Sequence, residues 1–285
     1  MLRRCLPRRT IFDACYVLNL DRRPDRWQHT QQELQKAKLA KKFFTDATPA
    51  VAVERVSGVD GCTLDPAQLH RDGVLTDRGY ERFQLPLEEK LFGMDLTRGA
   101  IGCALGHRAV WERIRARGQQ CALVLEDDVE FHHRFSRVFA DRWRQVPADW
   151  ELVHLGGLDL LARGRPPRPY VAEGVRRAYQ GHRELTAYVL NARGAARCLA
   201  LSTPMTWQID THISEQLTEE EGAAPAGGVR DKYVADPVTY VLHPSLVIQV
   251  TAYGTDVQKK VADNPDLEDA ARRMREFVGG GTSVR

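Results

Sequence analysis

Three consecutive carboxylates, Glu126, Asp127 and Asp128, follow directly on the apolar run Cys121-Ala-Leu-Val-Leu125. Five apolar residues in a row read as a strand covered on both faces. The acids then lie where that strand leaves its sheet, and in open parallel sheets ligands gather at the carboxyl ends of strands. Side chains alternate along an extended chain, so Glu126 and Asp128 should share one side and Asp127 the other. Two carboxylates facing each other repel, and one is driven to bind a proton unless a cation sits between them. Oxygen ligands of this kind suit Mg²⁺ or Mn²⁺, with a substrate diphosphate filling the remaining positions. The same triplet could be an acidic turn facing water, so the rest of the chain has to decide.

Two other stretches carry chemistry of a matching kind. The run Cys15-Tyr-Val-Leu-Asn-Leu20 turns into Asp21-Arg-Arg-Pro-Asp-Arg26. There Arg22, Arg23 and Arg26 offer donors suited to phosphate oxygens, backed by the start of a helix. In isolation this is an ordinary strand-to-helix turn with solvated arginines. Further on, Pro204-Met-Thr-Trp-Gln-Ile-Asp210 brings Trp207, an aromatic plate of the kind that stacks on sugars, close to one more acid. Gly99, Gly102 and Gly106 recur where close approach of a neighbouring backbone or ligand would need them. His107, at the end of that series, reads by itself as a structural histidine.

The elements that must position these residues alternate between strand-like and helix-like segments, which predicts a three-layer α/β domain. Strands are expected at 15–20, 51–56, 121–125, 150–155, 186–190, 238–242 and 246–250. One helix should follow Pro24, a good first-turn residue. A second should open behind the N-cap Thr97, with Ile101, Leu105, Val110, Trp111 and Ile114 broadly on one face, and a third at 192–201 behind Asn191. The stretch 62–95 has a weak pattern and reads as loop and short helix, a candidate surface lid. The Pro/Arg run at 162–169 reads as a solvated connection, and the acidic, then Ala/Gly/Pro-rich, run at 219–228 as a mobile loop.

Composition sets the outer limits. At 285 residues and 43% hydrophobic content the chain has ample material for a core. A formal charge of +3, from 41 basic and 38 acidic residues, creates no field that argues for nucleic acid. Six cysteines are scattered without paired spacing and read as reduced core residues. No apolar run approaches the roughly 20 residues that span a bilayer, and the arginines near the N-terminus lack the apolar segment of a secretory signal. The expectation is a cytoplasmic protein, or one of the ER/Golgi lumen if the N-terminus is incomplete, with at most peripheral membrane contact. Residues 1–14 read as a disordered basic leader, 15–258 as the single domain, and 259–285 as a charged tail, partly helical and then disordered.

The motifs Leu18-Asn-Leu-Asp-Arg-Arg-Pro-Asp-Arg26, Leu96-Thr-Arg-Gly-Ala-Ile-Gly-Cys-Ala-Leu-Gly-His107, Val124-Leu-Glu-Asp-Asp-Val129, Ala187-Tyr-Val-Leu-Asn-Ala-Arg-Gly-Ala195 and Pro204 to Asp210 occur in an order that resembles glycosyltransferase family 25, the lipopolysaccharide-type and procollagen galactosyltransferases. The resemblance covers roughly residues 15–249, and five ordered motifs are far more specific than one. It implies a GT-A-like α/β/α single domain with a mostly parallel central sheet, a UDP-sugar donor, Mn²⁺ or Mg²⁺, and inversion at the anomeric carbon. Carried over by position, Asn19, Asp21, Arg26 and Asp127 would serve the nucleotide, and Glu126 and Asp128 the metal. Gly106 departs from a serine common in the family, and Arg98-Gly-Ala100 from Pro-Gly-Glu.

The expected activity is transfer of a hexose, galactose in particular, from a UDP-sugar to a hydroxyl of a glycan or of a hydroxylysine-type protein acceptor. Such a transfer needs a base for the acceptor proton. Asp210 is the first choice, with Glu184 and His243 in reserve. Two readings compete: a catalytically inactive family member acting as a binding module, and a metal-dependent nucleotide-sugar hydrolase. The absence of a Walker loop weakens the second.

Overall fold

The computed structural model describes residues 11–39, 51–91, 93–159, 170–178, 182–215 and 237–257. In chain order these form β1 (Ala14–Asn19), α1 (Pro24–Lys36), β2 (Val53–Ser57), α2 (Pro66–Arg71), α3 (Asp77–Gln84), α4 (Arg98–Ala116), β3 (Ala122–Leu125), β4 (Val129–Phe131) and α5 (Phe135–Trp143). The second half adds β5 (Leu152–His154), β6 (Leu158–Asp159), β7 (Tyr170–Ala172), β8 (Val175–Arg177), β9 (His182–Arg183), β10 (Ala187–Leu190), α6 (Ala192–Leu201), α7 (Ile209–Glu215), β11 (Thr239–Leu242) and β12 (Val247–Gln249).

Among the described residues, eight strands make one mixed sheet in the order β2-β1-β3-β10-β5-β11-β8-β7. Its pairings β2–β1, β1–β3 and β5–β11 are parallel, while β10 lies antiparallel between β3 and β5. Helices cover both faces, giving the three layers. The period-two alternation of a strand divides β3 between two cores. Leu123 and Leu125 join Leu34 of α1 and Phe135 and Phe139 of α5, whereas Ala122 and Val124 join Ile101, Val110 and Trp111 of α4. All four β3 side chains are fully buried, and burying a leucine of this kind contributes about 1.5–3 kcal/mol.

Local chemistry sets the helix starts. Thr97 Oγ1 accepts the Ala100 N–H at 3.0 Å, and Asn191 Oδ1 accepts that of Gly194 at 2.9 Å, each satisfying a donor that the first helical turn leaves unpaired. Pro24 occupies the first turn of α1. The region 62–95 holds more order than its pattern suggests: Asp65 and Thr76 cap α2 and α3. Within the expected leader, Phe12 packs in the core and Asp13 accepts the N–H groups of Gln120 and Cys121 at 2.6 and 2.9 Å. Residues 162–169, 219–228 and 259–285 lie outside the described residues. Among those described, no helix is long and apolar enough to cross a membrane.

Candidate active site

A cleft opens at the carboxyl ends of β1 and β3, between α1 and α4. It is lined by Asn19, Arg22, Arg26, Cys103, His107 and all three acids, and by Gly58 to Cys62 of the segment that follows β2. Glycine makes that approach possible. A Cβ on Gly102 of α4 would overlap the carbonyl oxygen of Val59, and one on Gly99 the carbonyl of Asp256.

The alternation of β3 continues into the acids. Asp127 points to the α1 side, where Oδ2 accepts from Asn19 Nδ2 at 2.6 Å and Oδ1 from Arg26 at 2.9 Å. Glu126 points to the α4 side, its Oε1 3.3 Å from His107 Nε2 and 3.9 Å from Cys103 Sγ. Asp128 departs from strict alternation because the chain turns there. Its Oδ2 accepts from Gln249 at 3.1 Å and stands 3.2 Å from Arg26. Its Oδ1 is buried without a partner, and so is Arg26 Nε. Burial first, and then the charge of Glu126, push the Asp128 carboxyl up to about 7 against the pull of Arg26. A carboxylate short of positive charge, with an unused oxygen, is what a divalent cation fits, so the residues present suit Mn²⁺ or Mg²⁺.

The family model for glycosyltransferase family 25 (LPS biosynthesis protein) matches residues 12–213, which include both strands and both helices of this cleft. The chain belongs to glycosyltransferase family 25. Procollagen galactosyltransferase 1 of Danio rerio is 30% identical over 193 residues, covering 66% of this chain and 28% of that protein. Procollagen galactosyltransferase 2 of Homo sapiens is 32% identical over 148 residues, 51% of this chain and 21% of that one. The inactive glycosyltransferase 25 family member 3 of Homo sapiens is 30% identical, covering 68% and 30%. This family 25 chain therefore spans under a third of the length of those relatives.

Other residues singled out in the sequence fall on either side of the cleft. Asp21 stands outside its lining, 70% exposed and held by Arg55 and Ser57 at 2.8 and 2.6 Å. Asp127 lines the cleft, and through its bonds to Asn19 and Arg26 it locks α1 to the end of β3. Asp210 and Glu184 meet beyond Glu126. Asp210 accepts the Glu184 N–H at 2.9 Å and the Thr211 N–H at 2.7 Å, and burial raises its carboxyl. Glu184 is pushed up to about 8, by burial and then by Glu126, Asp210 and Asp128, and its backbone takes a positive φ of 68°. Such a conformation in a non-glycine residue is costly and clusters at functional sites. His243 is not brought to the acids; it faces Tyr170 at 3.0 Å on the opposite half of the sheet. Trp207 is only 5% exposed, with the guanidinium groups of Arg78 and Arg82 on its ring at 5.1 and 5.7 Å, so it offers no open plate to a sugar.

Sequence reasoning gave no role in the site to His107, Cys103 or Asp256. His107 is fully buried, yet it points at Glu126 while its Nδ1 meets the Tyr188 hydroxyl at 2.9 Å, and Trp111 Nε1 donates to that hydroxyl at 2.7 Å. The i, i+4 spacing of Cys103 and His107 on α4 was the available signal. Asp256, from the far end of the chain, binds Arg22 at 2.7 Å and also Arg23, and no local pattern announces it.

Proposed function

We propose that the chain transfers a hexose, with inversion, from a UDP-sugar in this cleft to a hydroxyl of a glycan or protein acceptor. Galactose is the first candidate because of the galactosyltransferases among its relatives. The observation that supports this reading most is the pair of unmatched buried atoms on one wall, Arg26 Nε and Asp128 Oδ1. A donor and an acceptor, neither satisfied by the chain, suit a diphosphate and its cation.

Glu126 and Asp128 would hold Mn²⁺ or Mg²⁺. A divalent ion supplies there a Lewis acid for the charge gathering on the leaving diphosphate. Arg26 and Asn19 hold the nucleotide side. The acceptor oxygen loses its proton as its bond to the anomeric carbon forms, and the bond from that carbon to the diphosphate oxygen breaks, the electron pair leaving with the nucleotide. The proton goes to the Asp210–Glu184 pair. The base role expected of Asp210 passes to Glu184, because both Asp210 oxygens are gripped by backbone N–H groups. Glu184, raised to about 8 by burial and the neighbouring acids, is the stronger proton acceptor in its carboxylate form, which gains as pH rises towards that value.

A screen of UDP-sugars with Mn²⁺, reading UDP release with and without glycan and peptide acceptors, tests the proposal. Acceptor-dependent release from UDP-galactose is expected. Release that ignores the acceptor would favour hydrolysis, and UDP binding without release from any sugar would favour a binding module.

A further inference from the structure

The α4 wall of the cleft carries a second arrangement of ligands, different in kind from the oxygen pair. Cys103 and His107 lie one helical turn apart on α4, and Glu126 meets them from the end of β3. Their ligand atoms, a thiol sulfur, an imidazole nitrogen and a carboxylate oxygen, all lie within 4.8 Å of one another. Metal bonds of about 2.0–2.3 Å in a tetrahedral site separate neighbouring ligand atoms by roughly 3.3–3.6 Å. The observed separations from Glu126 are 3.3 Å to His107 and 3.9 Å to Cys103, and the Cys103–His107 pair lies within 4.8 Å, so the thiol must turn inward to close the site.

The ring of His107 is already aimed. It has no exposed surface, and the Tyr188 hydroxyl, itself held by Trp111, fixes its Nδ1 edge so that Nε2 faces Glu126. Outer contacts of this type orient metal-binding histidines. Without an ion, Trp111 can only donate to the Tyr188 oxygen, Tyr188 can donate to Nδ1, and the Nε2 proton serves Glu126. With an ion on Nε2, the imidazole proton sits on Nδ1 and the Tyr188 oxygen accepts it. The thiol proton of Cys103 leaves to solvent as the sulfur takes the metal.

We propose that Cys103, His107 and Glu126 form a three-residue site for a borderline-soft divalent cation, zinc in the first place, with the fourth position open to the cleft. Sulfur and imidazole ligands select zinc or cobalt over magnesium and manganese, which take oxygen. The site shares Glu126 with the oxygen pair, so an ion held on α4 withdraws that carboxylate from the Asp128 side. Zinc at this position is therefore an antagonist of any magnesium or manganese bound there. The site stands whether or not the chain transfers a sugar, because binding is read without turnover.

The experiment uses the full chain, stripped of metal, and titrates Zn²⁺ against a chromophoric chelator. One ion per chain is expected. Cys103→Ser and His107→Gln should each weaken it well beyond tenfold, and Tyr188→Phe, which removes only the support of the ring, by roughly 10–100-fold. Cys62→Ser, which removes an exposed thiol on the same cleft, should leave affinity unchanged. Cobalt in place of zinc should show a thiolate charge-transfer band in the wild type that Cys103→Ser lacks. Thermal melting of each variant separates a lost ligand from a lost fold, and Cys103→Ala serves if serine disturbs packing. A cobalt complex without the thiolate band, or zinc affinity that survives Cys103→Ser and falls with Cys62→Ser, overturns the proposal.

Discussion

On the two sides of Glu126 the cleft solves the same electrostatic problem in opposite ways. Towards α1 every acid has a cation. Asp127 holds Arg26, and Asp256 holds Arg22 and Arg23 and lies 4.0 Å from Arg26. Towards α4 and α7 the charges of Glu126, Asp210 and Asp128 act on both Cys103 and Glu184, while Arg183 acts on Asp210. The consequence appears in their proton affinities: the Arg22–Arg23 pair outweighs burial and lowers the Asp256 carboxyl, while Glu184 is raised to about 8. On the matched side Asp256 is held charged, although burial still raises Asp127 against the pull of Asn19 and Arg26. The unmatched side is built to receive a proton or a metal ion.

Removing Arg26, the cation that Asp127 and Asp128 share, should have the largest effect. Arg26→Ala would leave Asp127 and Asp128 buried without a cation and release the Gly254 carbonyl. Losing one partner of a buried pair costs about 3–5 kcal/mol. Urea unfolding should show that loss, and any folded fraction should have a raised donor KM. A variant as stable as the parent, with unchanged KM, would mean that Arg26 is not the hinge of the matched side.

The next effect is the pH dependence of the two carboxyls raised to near-neutral values. Asp128 and Glu184 titrate near 7 and 8 when folded, against ordinary carboxyl values when unfolded, so the native state binds more protons. Their stabilising contribution is therefore complete below the unfolded values and is lost as pH rises through about 7 to 8. In chelator, Tm should fall from pH 6 to 8.5, and Mn²⁺ should recover more of it at the upper end. An Asp128→Asn, Glu184→Gln double variant should flatten the slope; an identical slope would contradict the assignment.

The smallest effect sharpens the matched side. Asp256 occupies arginines that a diphosphate would use, so Asp256→Asn should lower donor KM a few-fold with kcat near the parent value. Asp21→Asn, outside the cleft, should leave donor KM as it is. A donor KM that rises in Asp256→Asn would show that this acid organises the arginines rather than competing for them.

The acid triplet and its strand were legible because a strand buried on both faces must be apolar throughout, and the first polar residue then marks its exit. Thr97 and Asn191 announced their helices through hydrogen-bonding chemistry that acts locally. The antiparallel insertion of β10 was not legible, since Ala187 to Leu190 reads the same in either direction. Neither was the burial of Trp207, because the arginines covering it come from α3, more than a hundred residues earlier in the chain. The pairing of Asp127 with Asn19 and Arg26 joins segments that only the parallel β1–β3 register brings together.

The division of labour across Glu126 is tested most directly by calorimetric titration of UDP with Mn²⁺ into Asp128→Asn and Glu184→Gln, beside their turnover numbers. Asp128→Asn should lose metal-dependent UDP binding. Glu184→Gln should keep it and lose about 10²–10⁴ in kcat, the usual cost of removing a general base. If Glu184→Gln loses UDP–Mn²⁺ affinity as severely as Asp128→Asn, or turns over at the parent rate, the two sides of the cleft do not divide the chemistry in this way.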